Sequence, residues 1–275
     1  MERPDRAARG DALIDYSPFP MPRTVALANQ KGGVGKTTTA INLAAGLAAL
    51  DRRVLLVDLD AQANATSGLG FPRQKSGPDA YDVLLSGNAN AAIRPTAFPN
   101  LDLLPSGRDL VGAEIELVDA EDREGRLRRA LERVRGGYAF VLVDCPPSLS
   151  LLTVNALAAA DAVLVPIQTE YFALEGLSEL LETVERIRRS FNPALLLEGI
   201  VLTMYDERTN LARQVTEDIR NHFGDRVYHT VIPRNVRLGE APSFGKPVLA
   251  YDIKSKGAEA YLALAREFLD RQGAA

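Results

Sequence analysis

The chain has 275 residues, of which 46% are hydrophobic and 25% are charged. This composition is ordinary for a globular protein, and a chain of this length can bury a core without disulfide or metal support. The single cysteine, Cys145, excludes an intramolecular disulfide and fits a reducing compartment. No run of 18 uncharged apolar residues occurs, so the sequence predicts no membrane-spanning helix.

The charges are distributed unevenly along the chain. The net charge of −4, taken alone, argues against a nucleic-acid-binding protein. Residues 186–256, however, contain 12 Lys and Arg against 8 Asp and Glu, whereas the rest of the chain contains 20 against 28. The sequence therefore predicts a basic face on the C-terminal half of an acidic protein.

We expect residues 1–22 to form a flexible arm and residues 23–275 to form a single domain. The arm carries several charged residues and lacks an apolar core, so it does not resemble a secretory signal. Pro18, Pro20 and Pro22 would break regular structure there. A translation start at Met21, just before the first strand, is the alternative interpretation.

Strand-like apolar runs alternate with helical patterns. The predicted strands are 24–28, 53–57, 101–104, 140–143, 162–166, 196–202 and 227–231. The predicted helices are 37–50, 125–134, 173–189, 211–222 and 257–271, and residues 66–100 indicate loops with short helices. Several strands are apolar throughout, as expected when both faces are covered, and the alternation implies parallel pairing. The predicted fold class is a doubly wound α/β domain with a mostly parallel sheet and helices on both faces.

A glycine-rich segment follows the first strand and opens the first helix. It consists of Lys31, Gly32, Gly33, Val34, Gly35, Lys36, Thr37 and Thr38. Three glycines within four residues let the backbone curl with its N–H groups inward, which creates an anion-binding site at a helix N-terminus. In such a loop Lys36 reaches the β- and γ-phosphates, and the Thr37 hydroxyl ligates Mg²⁺. The segment therefore predicts a P-loop NTPase that binds ATP with these eight residues.

This loop departs from the pattern G-x-x-x-x-G-K-[ST]. Gln30 stands where the first glycine is expected, and Lys31 at the loop entrance is an additional lysine. Two lysines repel each other unless several phosphate charges lie between them.

Two apolar strands end in aspartates. Alternation along the first places Asp58 and Asp60 on the same side of an extended chain, near the phosphate loop at the carboxyl edge of a parallel sheet. The second ends in Asp144, a Walker B pattern in which this carboxylate holds Mg²⁺ through water. We interpret Asp58 as structural and Cys145 as a packed residue rather than a catalytic one.

The segment KGGVGKTT resembles the deviant Walker A motif of the ParA/MinD family of P-loop ATPases. The resemblance implies that Lys31 reaches across a dimer to the ATP of a second chain, so that two chains enclose two nucleotides face to face. Gly32 would lie at this dimer interface, where a side chain would hinder closure. The resemblance also implies that Asp60 positions the attacking water and that Pro233 and Asn235 contact adenine.

The implied enzyme is a Mg²⁺-dependent ATPase. Water attacks the γ-phosphorus in line, while Lys31, Lys36 and Mg²⁺ neutralise the developing charge. Because Asp60 is the only evident group that could orient this water, we expect slow hydrolysis by the protein alone.

Several segments resemble the chromosomal ParA branch, also called Soj. They are NQKGGVGKTTTAINL, DLDAQANATSGLG, EYFALEGL, LTMYDERTN and IPRNVRLGEAPSFGKP. The resemblance covers about residues 24–270, and one departure is Ala61, where relatives often have proline. It implies a homodimer that forms with ATP and binds double-stranded DNA without sequence preference. It also implies a cytoplasmic, nucleoid-associated protein with a ParB-type (Spo0J-type) centromere-binding partner that stimulates hydrolysis.

Two arginines are the first candidates for DNA contacts, namely Arg208 in the segment DERTN and Arg237 in PRNVRL. The weaker candidates are Arg188, Arg189, Arg213 and Lys246. Phosphate contacts dominate the affinity of such binding, and dimerisation would double the basic face.

Four other functions compete with this interpretation. The main one is a MinD-like, membrane-associated positioning ATPase, which needs a basic and apolar amphipathic helix at its C-terminus, whereas residues 263–273 balance their charges and are weakly apolar. A relative of the nitrogenase iron protein needs two cluster-binding cysteines per chain, and Cys145 is alone. A plasmid partition ATPase that represses transcription usually carries an N-terminal DNA-reading domain, which 22 residues cannot form. A metabolic P-loop enzyme remains open.

Overall fold

The computed structural model describes residues 22–73 and 76–273. Most of the predicted arm, 1–21, lies outside the described residues, and so the predicted division of the chain at residue 22 stays a prediction. The strands are β1 (Arg23–Leu27), β2 (Val54–Asp58), β3 (Arg94–Pro95), β4 (Leu101–Leu104), β5 (Phe140–Asp144), β6 (Ala162–Gln168) and β7 (Leu196–Thr203).

Helices fill most of the connections between these strands. They are α1 (Lys36–Ala49), α2 (Asn64–Gly68), α3 (Ala80–Ser86), α4 (Leu110–Glu116), α5 (Arg126–Glu132), α6 (Leu151–Ala159), α7 (Ala173–Ser190), α8 (Asn210–Phe223), α9 (Val236–Glu240), α10 (Val248–Tyr251) and α11 (Lys256–Gly273). In the described ranges no helix combines the length and the hydrophobicity needed to span a bilayer.

The seven strands form one sheet in the order β3-β4-β2-β5-β1-β6-β7. Every pairing is parallel except that of the two-residue edge strand β3 with β4. All five residues of both β2 and β5 are buried, because the sheet is covered on both faces. The predicted fold class, a doubly wound α/β domain with a mostly parallel sheet, is confirmed.

Each face of the sheet has its own hydrophobic core. Helices α3 to α8 contribute to one core, and α1, α2 and α9 to α11 contribute to the other. In the second core α1 and α11 approach so closely that a Cβ on Gly46 would lie 2.8 Å from the Cβ of Ala265. The phosphate-loop helix α1 is therefore held rigidly between the sheet and α11.

The predicted strand 227–231 is wrong. Val227 forms only a single bridge with Ile200. The Tyr228 N–H donates to Ile200 O of β7 at 2.9 Å, but those of His229 and Thr230 donate to the carboxylate of Glu267 on α11, at 2.7 and 2.8 Å. A side chain thus takes two of the hydrogen bonds that a longer strand ladder would need.

Candidate functional site

The phosphate loop connects β1, which lies between β5 and β6, to the first turn of α1. Gly33 and Gly35 have φ angles of 75° and 85°, which glycine adopts at low cost and other residues rarely do. The amide of Asn29 donates to Pro166 O at 2.9 Å, and its Oδ1 accepts from Lys31 N at 2.9 Å. The loop backbone is therefore curled, as the sequence predicts, and Asn29 anchors it to the end of β6.

A second anchor comes from β7. The Thr203 hydroxyl donates to the carbonyl oxygen of Val34 at 2.8 Å, and both residues are buried. The sequence analysis identified neither Asn29 nor Thr203, because hydrogen bonds between the loop and strands that are distant in sequence leave no spacing signal along the chain.

Lys36 is only 6% exposed at the start of α1. Its Nζ donates to Lys31 O at 2.8 Å. Burial lowers the pKa of Lys36, while the negative charges of Asp144 and Asp60 act in the opposite direction. The lysine that the sequence assigns to the phosphates thus lies inside the loop, near Asp144, the predicted metal ligand, and Asp60, the predicted catalytic carboxylate.

Three strand ends meet at one level beside this loop. Asp144 of β5 is in register with Leu27 of β1 and with Asp58 of β2. The carboxyl edge of the sheet therefore brings the aspartates of two separate motifs next to the phosphate loop, as the sequence predicts.

Asp144 is completely buried, and within the described part of the chain neither of its carboxylate oxygens has a hydrogen-bond partner of ordinary geometry. Burial raises the pKa of Asp144 well above its usual range, and the charge of Asp58 adds to this. The Thr37 hydroxyl and the Lys36 ammonium oppose it. Because a buried carboxylate that accepts no hydrogen bond of ordinary geometry is costly, Asp144 is a candidate ligand for a further group. Such a carboxylate beside a threonine hydroxyl fits Mg²⁺, which prefers oxygen ligands and retains several waters.

Asp58 has a different environment from Asp144. It is equally buried, but its carboxylate accepts hydrogen bonds from Thr66 N at 2.8 Å, the Thr66 hydroxyl at 2.7 Å and Asp60 N at 3.2 Å. Burial raises the pKa of Asp58 to about 6, against the effect of these bonds. This arrangement fits the structural role that the sequence assigns to Asp58.

Asp60 is half-buried, and its Oδ1 accepts from Gln62 N at 2.9 Å. Its charge acts on Lys36, so its carboxylate lies near the phosphate loop, and its role toward water stays a prediction. Cys145 is buried with Sγ 3.8 Å from Val143 O, and burial raises the pKa of its thiol. This environment suits a packed residue.

The predicted interface residues lie on the open side of the loop. Lys31 is exposed, and its Nζ forms an ion pair with Glu170, which the sequence analysis did not single out. Gly32 is also exposed, and no atom lies within 4 Å of the position that a Cβ would take. Thr38 is half-buried at the start of α1, where its carbonyl oxygen accepts from the Asn42 amide at 2.8 Å.

The predicted adenine contacts lie beyond the end of β7. Pro233 forms a bridge with Tyr205 and is half-buried. Asn235 caps α9, because its Oδ1 accepts from Arg237 N at 2.9 Å. The Asn235 side-chain oxygen already accepts a hydrogen bond from Arg237 N, so its amide N–H groups are the ones left to contact a base.

Both first-choice DNA arginines are paired with carboxylates. Arg208 binds Asp206 through two hydrogen bonds, and Arg237 pairs with Glu240 at 2.7 Å and Asp252 at 3.3 Å. Two weaker candidates, Arg188 and Arg189, share the carboxylate of Glu185. Arg213 and Lys246 have no ion pair among the residues described here.

Comparisons with known proteins agree with this geometry. A family model described as an AAA domain matches residues 22–197, which is more than half of the chain. A crystal structure of cobyrinic acid a,c-diamide synthase from Mycobacterium smegmatis, with bound ADP and magnesium, is 39% identical with a TM-score of 0.81. It covers 92% of this chain and 96% of that one. The phosphate-loop architecture is therefore that of a nucleotide-binding enzyme.

Sequence relatives of higher identity are named ParA or Soj. The chain is 58% identical over 255 residues to the chromosome partitioning protein ParA of Caulobacter vibrioides (strain NA1000 / CB15N). The match covers 91% of this chain and 95% of that protein. It is 54% identical over 248 residues to the sporulation initiation inhibitor protein Soj of Bacillus subtilis (strain 168), at 90% and 98% coverage. Identity above one half along nine-tenths of the chain shows that this protein belongs to the ParA/Soj family of Mg²⁺-dependent, chromosome-partitioning ATPases.

Proposed function

We propose that this chain segregates DNA through an ATP-bound sandwich homodimer. The dimer binds double-stranded DNA without sequence preference, and it releases the DNA when a ParB-type partner stimulates hydrolysis. One observation carries the chemistry: Asp144 is buried beside Lys36 and Thr37 with no hydrogen bond of ordinary geometry to either carboxylate oxygen, and a nucleotide and its metal would complete its interactions.

The residues of the loop divide the work of hydrolysis. Lys36 and the backbone N–H groups of the loop would hold the phosphates, while Thr37 and Asp144 would hold Mg²⁺. The metal, when bound, supplies positive charge that stabilises the transferred phosphoryl group. Asp60 orients the attacking water from its half-buried position near Lys36. With no second water-orienting group proposed, the protein alone turns over slowly.

Exposed groups around the loop support a sandwich dimer. Lys31 is on the open side of the loop, and the space above Gly32 is empty. Leu149, Tyr171 and Phe172 are 47%, 77% and 60% exposed on the loops that follow β5 and β6. Large exposed apolar side chains are typical of protein interfaces. In the proposed dimer these side chains are covered, and Lys31 leaves Glu170 for the phosphates of the second chain.

The relatives' names support the partition role, and the charge distribution supports DNA as the cargo. Residues 186–256 carry the net positive part of an otherwise acidic chain. Two such regions in a dimer would offer a phosphate backbone twice the number of cations.

The MinD-like alternative receives no support from α11. The apolar face of this helix is buried against α1 and the sheet, through the residues Ala258, Tyr261, Leu264, Ala265 and Phe268. A membrane-binding helix needs its apolar face free to enter the lipid interface. Pelleting with anionic liposomes separates the two functions, and we expect no ATP-dependent pelleting.

The proposal is tested by gel filtration with ATP and Mg²⁺ on the wild type, Lys36→Ala and Asp60→Ala, followed by DNA binding on each peak. We expect Lys36→Ala to stay monomeric, because it lacks the charge that holds the triphosphate. We expect Asp60→Ala to remain trapped as a DNA-binding dimer, because it forms the sandwich but hydrolyses poorly. Normal ATP hydrolysis by Asp60→Ala would refute the role assigned to that carboxylate.

A further inference from the structure

The loop after β7 carries the first candidate for DNA contact, Arg208. Its guanidinium donates from Nε to Asp206 Oδ1 at 2.8 Å and from Nη2 to Asp206 Oδ2 at 2.6 Å. This two-point geometry is the one in which arginine also binds a phosphate group. A carboxylate thus occupies the same edge of the guanidinium that a DNA phosphate would use.

The pair is placed where a large anion could reach it. The Arg208 side chain is 82% exposed, whereas that of Asp206 is only 22% exposed. Ion pairs in water are weak because solvent screens them. A phosphate arriving from solvent can therefore displace the carboxylate without opening the fold.

The surroundings of Arg208 are electrically balanced. Arg208 lines a groove of about 880 Å³ together with Arg234 and Lys256. The same groove is lined by three carboxylates, those of Asp206, Glu207 and Glu259. Because a polyanion is drawn to a net positive surface, this groove attracts DNA only when one of its carboxylates is neutralised or displaced.

Arg234 is the cation next to the pair. Its side chain has no ion pair with any residue that the structure describes. The bonds from Arg208 lower the pKa of Asp206 to about 2, and the charge of Arg234 contributes to this. Asp206 is therefore ionised at neutral pH, and Arg234 lies close enough to bind a neighbouring phosphate.

We propose that Asp206 sets the affinity of this groove for DNA. Its carboxylate competes with backbone phosphates for Arg208, so that DNA binds by displacing it, and Arg234 makes a second phosphate contact in the same groove. This inference rests on the DNA binding proposed above, and it adds the residue that keeps that binding weak.

The test uses the full chain carrying Asp206→Asn. Asparagine keeps an oxygen that can accept from Arg208 N, as Asp206 Oδ1 does at 3.1 Å, so the turn is preserved while the negative charge is removed. The matched control is Glu182→Gln. Glu182 forms another exposed ion pair, with Arg186 on α7, and the substitution removes its negative charge. Both variants change the net charge by one unit, and thermal melts verify that both are folded.

Binding to a non-specific DNA duplex is measured over a series of salt concentrations, with and without ATP and Mg²⁺. We expect Asp206→Asn to bind about three- to fivefold more tightly than the wild type, the fold-change that one exposed ion pair is worth. DNA contacts Arg208 in both the wild type and Asp206→Asn, so both proteins should share one slope of log K against log salt. Glu182→Gln keeps the wild-type affinity, and adding Arg234→Ala to Asp206→Asn removes most of the gain.

Two results would overturn the proposal in distinguishable ways. If the wild type binds DNA with ATP but Asp206→Asn and Glu182→Gln behave alike, Asp206 has no special competition with phosphate, while the partition role stands. If no protein binds DNA in any nucleotide condition, the proposed DNA binding fails and this inference fails with it.

Discussion

Asp144 and Asp58 lie at the same level on neighbouring strands and are equally buried, yet their surroundings differ. Asp58 accepts three hydrogen bonds, whereas Asp144 accepts none of ordinary geometry from the described chain. The contrast separates a carboxylate that stabilises the fold from one that is available to a ligand.

This contrast predicts opposite effects of two identical substitutions. Asp58→Asn lowers the free energy of unfolding by about 1–3 kcal/mol, because an amide cannot replace the charged acceptor of three bonds. Asp144→Asn leaves that free energy unchanged or slightly raised, but it reduces Mg²⁺-dependent ATP hydrolysis by about 100-fold or more. Urea unfolding and a phosphate-release assay measure the two effects. Equal destabilisation by both variants would make Asp144 a structural residue.

Gly32 offers a second comparison at the level of single residues. Nothing lies within 4 Å of a Cβ at Gly32 or at Gly136, and both glycines are exposed. Because neither site is crowded within one chain, Gly32→Val and Gly136→Val should both leave the melting temperature of the nucleotide-free protein within a few degrees of wild type. Gly32→Val alone should abolish ATP-dependent dimerisation, since a second chain would meet the new side chain. Dimerisation of Gly32→Val with wild-type affinity would remove Gly32 from the interface.

The residues that sequence reasoning found are those that chemistry ties to a fixed spacing. Lys36 and Thr37 must follow a glycine turn, and Asp144 must end a buried strand. Thr203 and Glu170 were missed, because each acts on the loop from a distant part of the chain. Asn29 adjoins the loop, but its bond to Pro166 depends on a contact 137 positions away that spacing does not reveal. The pairing of Arg208 with Asp206 was also not predicted, although only one residue separates them.

At the scale of helices and strands, hydrophobic periodicity predicted the amphipathic elements well. The helices predicted at 173–189, 211–222 and 257–271 agree with α7, α8 and α11 to within two residues. Helix α6 was missed because seven of its nine residues are buried, so it shows no polar face. The predicted strand at 227–231 failed because Glu267, 37 or more positions away, accepts hydrogen bonds from the N–H groups of His229 and Thr230.

The contact between α1 and α11 yields a prediction about packing. In Gly46→Ala the new Cβ would lie 2.8 Å from Ala265 Cβ and 3.2 Å from Tyr261 O, so the two helices must separate. We expect a loss of about 1–3 kcal/mol in the free energy of unfolding. Gly176→Ala on α7 is the control, since its Cβ meets nothing within 4 Å, and we expect a gain of about 0.4–1 kcal/mol. Denaturant melts without nucleotide measure the free energy of unfolding of both variants. An equal gain in this free energy for Gly46→Ala and Gly176→Ala would contradict the close packing of α1 and α11.

At the scale of the whole molecule, nucleotide binding and folding are linked. Any ligand that binds only the folded chain stabilises it, by about 2.7 kcal/mol at a concentration 100 times its dissociation constant. ATP with Mg²⁺ should therefore raise the melting temperature of the wild type clearly and that of Lys36→Ala hardly at all. Thermal melts with and without nucleotide test this, and equal stabilisation of both proteins would mean that ATP binds elsewhere.

The ATP-bound dimer should also show strong salt dependence on DNA. If it neutralises about four phosphates, the logarithm of the binding constant falls with the logarithm of the salt concentration at a slope near −3.6. A titration of a non-specific duplex at several salt concentrations measures this slope. A slope near zero would exclude phosphate contacts as the source of affinity.

In the proposed dimer, triphosphate charge joins two lysine-bearing loops across a subunit boundary. Light scattering of Asp60→Ala at saturating ATP and Mg²⁺ detects this dimer, because slow hydrolysis preserves the complex. We expect a particle of twice the 29.8 kDa of one chain, and a return to single chains when Lys31→Ala is added. Single chains at saturating ATP, or an unchanged dimer without the Lys31 ammonium, would contradict it.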